Sequence, residues 1–255
     1  SDSSPTSVAV TFNTQGSPNW VSLNGVNTFT GPITLTQING SANGVLVIGG
    51  FRAAGGSGPN TVGTGSLGSG NYPGAITLGT RTVLEYDSTS AQTLAGAISG
   101  PGALLLTGSG QVTLTGPNTY SGNTTVNGGS TLELASTGGM TFLVTNTTAN
   151  KVTGGGTANL DGTFTIVTSA VTSPIASWTL ADATTKSFTT NFNVSGFDDT
   201  DLDDVWTKEV GFATWTFTEA TGVLSVNTLA TITSFGIPGY DGVIDNNALT
   251  IALSV

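Results

Sequence analysis

The 255-residue chain has 15 acidic and 5 basic residues, a net charge of −10, 37 glycines, and neither cysteine nor histidine. Its five bases (Arg52, Arg81, Lys151, Lys186 and Lys208) stand singly, which excludes the clustered cations that neutralise nucleic-acid phosphates or dock on anionic lipid. Without Cys and His there are no disulfides, no thiolate or ordinary zinc sites and no His-based triads, and no run of about 18 apolar residues offers a membrane-spanning helix.

In chain order, Ser1–Pro5 is a polar lead-in, and Ser7–Asn13 alternates as a first strand. A turn at Gly16–Asn19 leads to a short strand at Trp20–Leu23. From Leu23 to Leu35 runs LNGVNTFTGPITL, which returns at Leu114–Val126 as LTGPNTYSGNTTV, 91 residues on from Asn27 to Asn118. The shared pattern reads as one corner of a coil. Gly25 and Gly116 are expected to supply a positive φ, and Asn27 and Asn118 to bond neighbouring backbone. Phe29 and Tyr120 then turn inward, and Gly31 and Gly122 release the chain into the next strand.

Val45–Ile48 is a wholly apolar run, as in a strand covered on both faces. Gly49–Gly70 holds nine glycines in 22 residues. It lacks the G-x-x-x-x-G-K-[ST] order of a phosphate cradle and reads as a loop leaving the coil. Ala75–Leu78, Arg81–Tyr86 and Gln92–Ile98 resume the strand rhythm. Four apolar–Thr runs follow at Leu104–Thr107, Gln111–Thr115, Asn123–Asn127 and Ser130–Leu134. Strands so short and evenly spaced, with no helix between them, predict turns stacked one upon another.

Ala91–Gly100 (AQTLAGAISG) followed by Thr107–Gly128 (TGSGQVTLTGPNTYSGNTTVNG) resembles the passenger-associated β-strand repeat of autotransporter-type and other large bacterial surface proteins. The resemblance covers about residues 91–135 and, more weakly, 20–50. It implies a right-handed parallel β-helix, export, and a structural or adhesive role at the bacterial surface. Lack of cysteine suits a secreted bacterial protein, and the start at SDSSPTSVAV looks like a mature terminus after signal-peptide removal.

From Met140 the strands lengthen and aromatics accumulate: Trp178, Phe188, Phe192, Phe197, Trp206, Phe212, Trp215 and Phe217. Strands are expected at Thr141–Thr145, Gly162–Thr168, Ser177–Leu180, Ser187–Val194, Thr214–Thr218 and Gly222–Val226. The reading is an all-β chain with a right-handed parallel β-helix (β-solenoid) over 1–139. A bulkier, aromatic-rich β region over 140–229 forms either a widened coil or a sandwich-like cap, and a terminal strand tail spans 230–255. Ile232–Ile237 looks like the opening strand of an Ig-like module. Ala248–Val255 (ALTIALSV) is an apolar strand with no evident partner, so either a longer protein continues here or the strand enters a neighbouring copy. In that second case Ala248, Leu249, Ile251, Leu253 and Val255 are the assembly residues.

Candidate chemistry is sparse. Asp199, Asp201 and Asp203 alternate as at the start of a Ca2+ loop. However, Asp204 stands where glycine is expected, and Val210 where the closing acid should be, so a solvated acidic loop competes with calcium. Glu85 and Asp87 are the pair a polysaccharide-cleaving enzyme would need, with Arg81 the lone nearby base. Trp20, Tyr72 and the Gly49–Gly70 loop are candidate glycan-contacting surface. Asn39, Asn123, Asn146 and Asn193 fit the N-glycosylation pattern, which chance supplies readily in so Asn/Ser/Thr-rich a chain. The favoured function is a non-catalytic extracellular structural subunit of a surface filament or appendage, self-assembling through terminal strands. An adhesin or glycan-binding fragment is the alternative, and a lyase or hydrolase comes third. No cofactor is expected other than Ca2+ at the three aspartates, and no nucleic-acid partner or membrane insertion.

Overall fold

The computed structural model describes residues 9–15, 20–39, 43–51, 61–199 and 204–228. They form an all-β structure, with no α-helix and one 3-10 turn at Gly68–Gly70. Parallel strands stack into a β-solenoid with three faces. One face begins with Val10–Gln15, Ile33–Asn39, Ile76–Leu78 and Ile98–Ser99. The hydrogen bond from Thr119 N to Ile98 O carries it on to Pro117–Asn118, Gly139–Thr145, Thr163–Ala170 and Asn193–Val194. A second runs through Trp20–Leu23, Gly44–Ile48, Thr82–Tyr86, Ala103–Leu106 and Thr124–Val126, and a third through Asn71–Tyr72, Gln92–Leu94, Gln111–Leu114 and Thr131–Leu134.

Stacking in register places like on like. Leu84 lies beside Leu104, and Leu94 beside Leu114, which lies beside Leu134, a repeat of 20 residues per turn of the coil. The period-2 alternation of the sequence becomes an alternation of burial: Val112, Leu114, Leu132 and Leu134 have no exposure, while Gln111, Thr113, Thr131 and Glu133 face outward. Each leucine so buried contributes roughly 2 kcal/mol of transfer free energy. Gly44–Ile48 is buried on both faces, as its unbroken apolar run implies.

The corner motif works much as its residues suggest, with one correction. Asn118 is 2% exposed; its Nδ2 donates to Gly116 O (2.8 Å) and Gly139 O (3.0 Å), and its Oδ1 accepts from Ile98 N (3.2 Å). One side chain therefore ties three successive turns of the coil. Asn27 donates likewise to Gly25 O (2.8 Å) and Ser66 O (3.1 Å). Tyr120 is buried with its hydroxyl bonded to Thr124 Oγ1, and Phe29 packs edge-on against Tyr72. The correction concerns the glycines, since none of the four in the motif has a positive φ. Gly116 and Gly122 are required by crowding instead. A Cβ would lie 2.6 Å from Ala95 O at the first and 2.3 Å from Gly102 O at the second. Backbone on adjacent turns approaches too closely there for any side chain.

The expected loop is shorter than its glycine content suggests. Phe51 and Thr61 bridge antiparallel across its neck, and residues 52–60 lie outside the described set. By Ser66–Leu67 the chain pairs again with Val26–Asn27, held from the next turn by Gln92, which bonds both Leu67 N and Leu67 O.

Past Met140 the parallel pairing continues without a break. Val152–Leu160 is a nine-residue strand spanning a corner, pairing with Thr124–Val126 by its first half and Thr131–Leu134 by its second. Ala181–Phe188 adds to it, with a register shift at the Gly154–Gly156 run. The expected strand Ser187–Val194 divides into this one, a turn closed by Phe192 N to Thr189 O, and Asn193–Val194. The core widens accordingly: Phe142, Phe164, Phe188, Phe192 and Phe217 meet ring to ring at 4.5–6.2 Å. An antiparallel sheet of Ile175–Thr179, Val223–Thr228, Ala213–Thr218 and Val205–Val210 joins this cluster through Phe217, with Trp178 and Trp215 stacked at 6.0 Å.

Candidate functional site

A cleft of about 730 Å³ lies where the antiparallel sheet meets the coil. Its floor is aromatic, with Phe192 and Phe197 buried and Trp206 half-buried and edge-on to Phe192 at 5.8 Å. Its rim is polar, formed by the Thr189–Asn193 turn and by Asp198, Asp199, Asp204 and Glu219. The acidic segment is pinned at both ends. Asp198 and Thr207 exchange two backbone bonds of 2.8 Å, and Glu219 N donates to Asp204 O (3.1 Å).

The electrostatics are one-sided. Glu219 is 8% exposed and accepts from Trp206 Nε1 (2.7 Å). Burial pushes its carboxyl above the usual carboxylate range; the Trp206 bond opposes this, and the charges of Asp204 and Asp199 add to the rise. Asp199 Oδ1 is buried without a hydrogen-bond partner. Lys208 Nζ sits 5.7 Å from the Phe197 ring centre. A cleft of this make-up suits a cation, or a neutral sugar stacked on an aromatic face and bonded by carboxylates and amides.

Of the calcium candidates, Asp199 lines this cleft, whereas Asp201 and Asp203 lie outside the described residues. Among the described residues no three acidic side chains group closely enough to hold a metal by themselves. The assembly residues Ala248, Leu249, Ile251, Leu253 and Val255 also lie outside the described set. Sequence reasoning found the aspartates but missed Glu219 and Trp206. The only available signal for that pair was an acid in a strand-end turn, thirteen residues from a tryptophan.

Two other expectations are corrected. Tyr72 is fully buried, its hydroxyl donating to Gly31 O, and burial raises its pKa to about 12. It presents nothing to a glycan. Glu85 and Asp87 have no solvent exposure, so no polymer reaches them in this fold. Comparison of the chain with family models, curated proteins and solved structures finds no match.

Proposed function

We propose that the chain is a non-catalytic extracellular structural protein, a subunit of a bacterial surface filament or appendage. The observation that carries this reading is the strand pairing at the first turn of the coil, as far as the described residues show it. Among the described residues, Val10–Gln15 and Trp20–Leu23 each pair on one side only. An unpaired strand edge recruits another strand. The segment Ala248–Val255 has the composition to supply one, with Leu249, Ile251, Leu253 and Val255 alternating with Thr250, Ala252 and Ser254. The motif resemblance over residues 91–135 and the scarcity of charge support an exported, inert, stackable element. Calcium and surface glycans are its proposed small partners. Negative-stain electron microscopy of the purified protein tests the reading: linear assemblies one coil wide support it, and isolated particles at every concentration refute it.

The cleft favours a second reading, a glycan-binding fragment, because Trp206 and Phe197 sit beside Asn191, Asn193 and four acids. Binding on a glycan array that disappears in Trp206→Ala would establish it.

A further inference from the structure

The first face of the coil carries one outward file of hydroxyl side chains along its length. Thr11 lies beside Thr34, Thr34 beside Thr77, and Thr77 beside Ser99. The bond from Thr119 N to Ile98 O sets Thr119 level with Ser99, and the pairing of Asn118 with Met140 sets it level with Thr141. Thr141 lies beside Thr165, and Ser195, whose N–H donates to Phe164 O, completes the file. Thr77 and Thr119, near its middle, are exposed. The strands of this face contain no Asp, Glu, Lys or Arg, whereas Glu85, Glu133, Asp182 and Lys186 lie in strands of the other two faces. Three large apolar side chains stand out from the charge-free face: Ile38 (53% exposed), Leu143 (40%) and Val167 (37%), with Leu143 beside Val167.

We propose that this face pairs with the same face of a second copy, the two coils running antiparallel. Charge argues for a copy at this face. Two molecules of net charge −10 repel, and a charge buried without a counter-charge adds a desolvation cost. Two charge-free sheets close without burying any charge. Period argues the same way: rungs about 4.8 Å apart let each hydroxyl face the gap between two hydroxyls of an identical file. The apolar residues fix the direction. A two-fold axis along the strands reverses the order of the turns and keeps the strand direction. Ile33–Asn39, second in the stack, then meets Thr163–Ala170, second from the other end, and Ile38 of one copy approaches Val167 of the other. A two-fold axis along the coil would instead set Leu143 over Gly139. Seven steps between rungs make the file about 34 Å long. With two or three outward columns it covers roughly 500 Å² per copy, the low end for a specific interface. Pairing therefore depends on concentration and parts at the dilution of electron microscopy. It does not depend on end-to-end joining.

The test is sedimentation equilibrium of the full chain carrying Ile251→Asp/Leu253→Asp, so that end-to-end joining does not contribute, from low micromolar to millimolar protein. The expected mass rises with concentration from 25.4 kDa toward twice that value, and added salt strengthens the pairing by screening the repulsion. Thr77→Lys/Thr119→Lys weakens it at least tenfold with Tm little changed. Gln111→Lys, an exposed position on the third face, leaves it intact. The chain has no native cysteine, so oxidation of a mixture of Thr34→Cys and Thr165→Cys variants reads the direction: disulfides between the two variants are expected in excess over disulfides within either. A mass of 25.4 kDa at every concentration and salt overturns the proposal, whatever microscopy shows of filaments. So does pairing that survives the ladder lysines, or that Gln111→Lys weakens as much. Disulfides formed chiefly between two copies of the same variant overturn the antiparallel arrangement.

Discussion

Replacing Asn118 by alanine tests whether one amide truly couples three turns of the coil. The substitution removes bonds of 2.8, 3.0 and 3.2 Å at a site 2% exposed. It leaves the N–H of Ile98, itself without exposure, and the carbonyls of Gly116 and Gly139 without this partner. Each buried polar group so orphaned costs about 1–3 kcal/mol, less where water enters. A loss of roughly 2–4 kcal/mol is expected, or roughly 5–15 °C in Tm for a chain of this size. Asn27→Ala is the internal control: it removes two bonds at a half-buried site in the terminal turn, where water replaces them, at about 1 kcal/mol or less. Asn118→Asp keeps an acceptor for Ile98 N but turns a charge on two carbonyls. It is expected to be worse than alanine at neutral pH and to recover on acidification, when the carboxyl can donate. Urea denaturation gives the stabilities, and amide exchange at Ile98 should accelerate in Asn118→Ala. Equal losses at the two asparagines, or unchanged exchange at Ile98, would refute the coupling.

The corner glycines give a second contrast. Gly122→Ala drives a Cβ to 2.3 Å from Gly102 O and should cost more than about 2 kcal/mol, whereas Gly25 has nothing within 4 Å and Gly25→Ala should lie within about 0.5 kcal/mol of wild type by urea denaturation. Glu219 supplies a pH prediction. Burial, with the nearby Asp204 and Asp199 charges, raises its folded pKa above the unfolded value of about 4.5. The folded state therefore binds the extra proton, so the contribution is fully present below that value and is lost as pH rises through the folded pKa. Glu219→Gln, which can still accept from Trp206, should equal or exceed the wild type in Tm at pH 7 and lose that advantage near pH 4. A Gln variant less stable than wild type at pH 7 contradicts the assignment.

The regular turns of the coil were legible in the sequence because burial there follows one rule. At Gln111–Leu114 and Thr131–Leu134 every second residue is apolar and points inward, and the asparagine corners announce themselves by recurrence. Val152–Leu160 escaped notice because Gly154–Gly156 reads as a turn, whereas here it is the bend within a single strand crossing a corner. The corner glycines were recognised for the wrong reason, since local conformation can be inferred from a residue type, but a 2.3 Å approach between turns of the coil cannot. The same limit hid the cleft. Trp206 and Glu219 come together only through the pairing of Val205–Val210 with Ala213–Thr218, a tertiary fact.

The end-to-end strand pairing at the heart of the proposed function is tested most directly by electron microscopy of the full chain beside an Ile251→Asp/Leu253→Asp variant. The account predicts linear assemblies in the wild type and isolated, folded particles in the variant, because two charges cannot enter a buried strand face. Indistinguishable particles in the two samples, whether both assembled or both single, would contradict it.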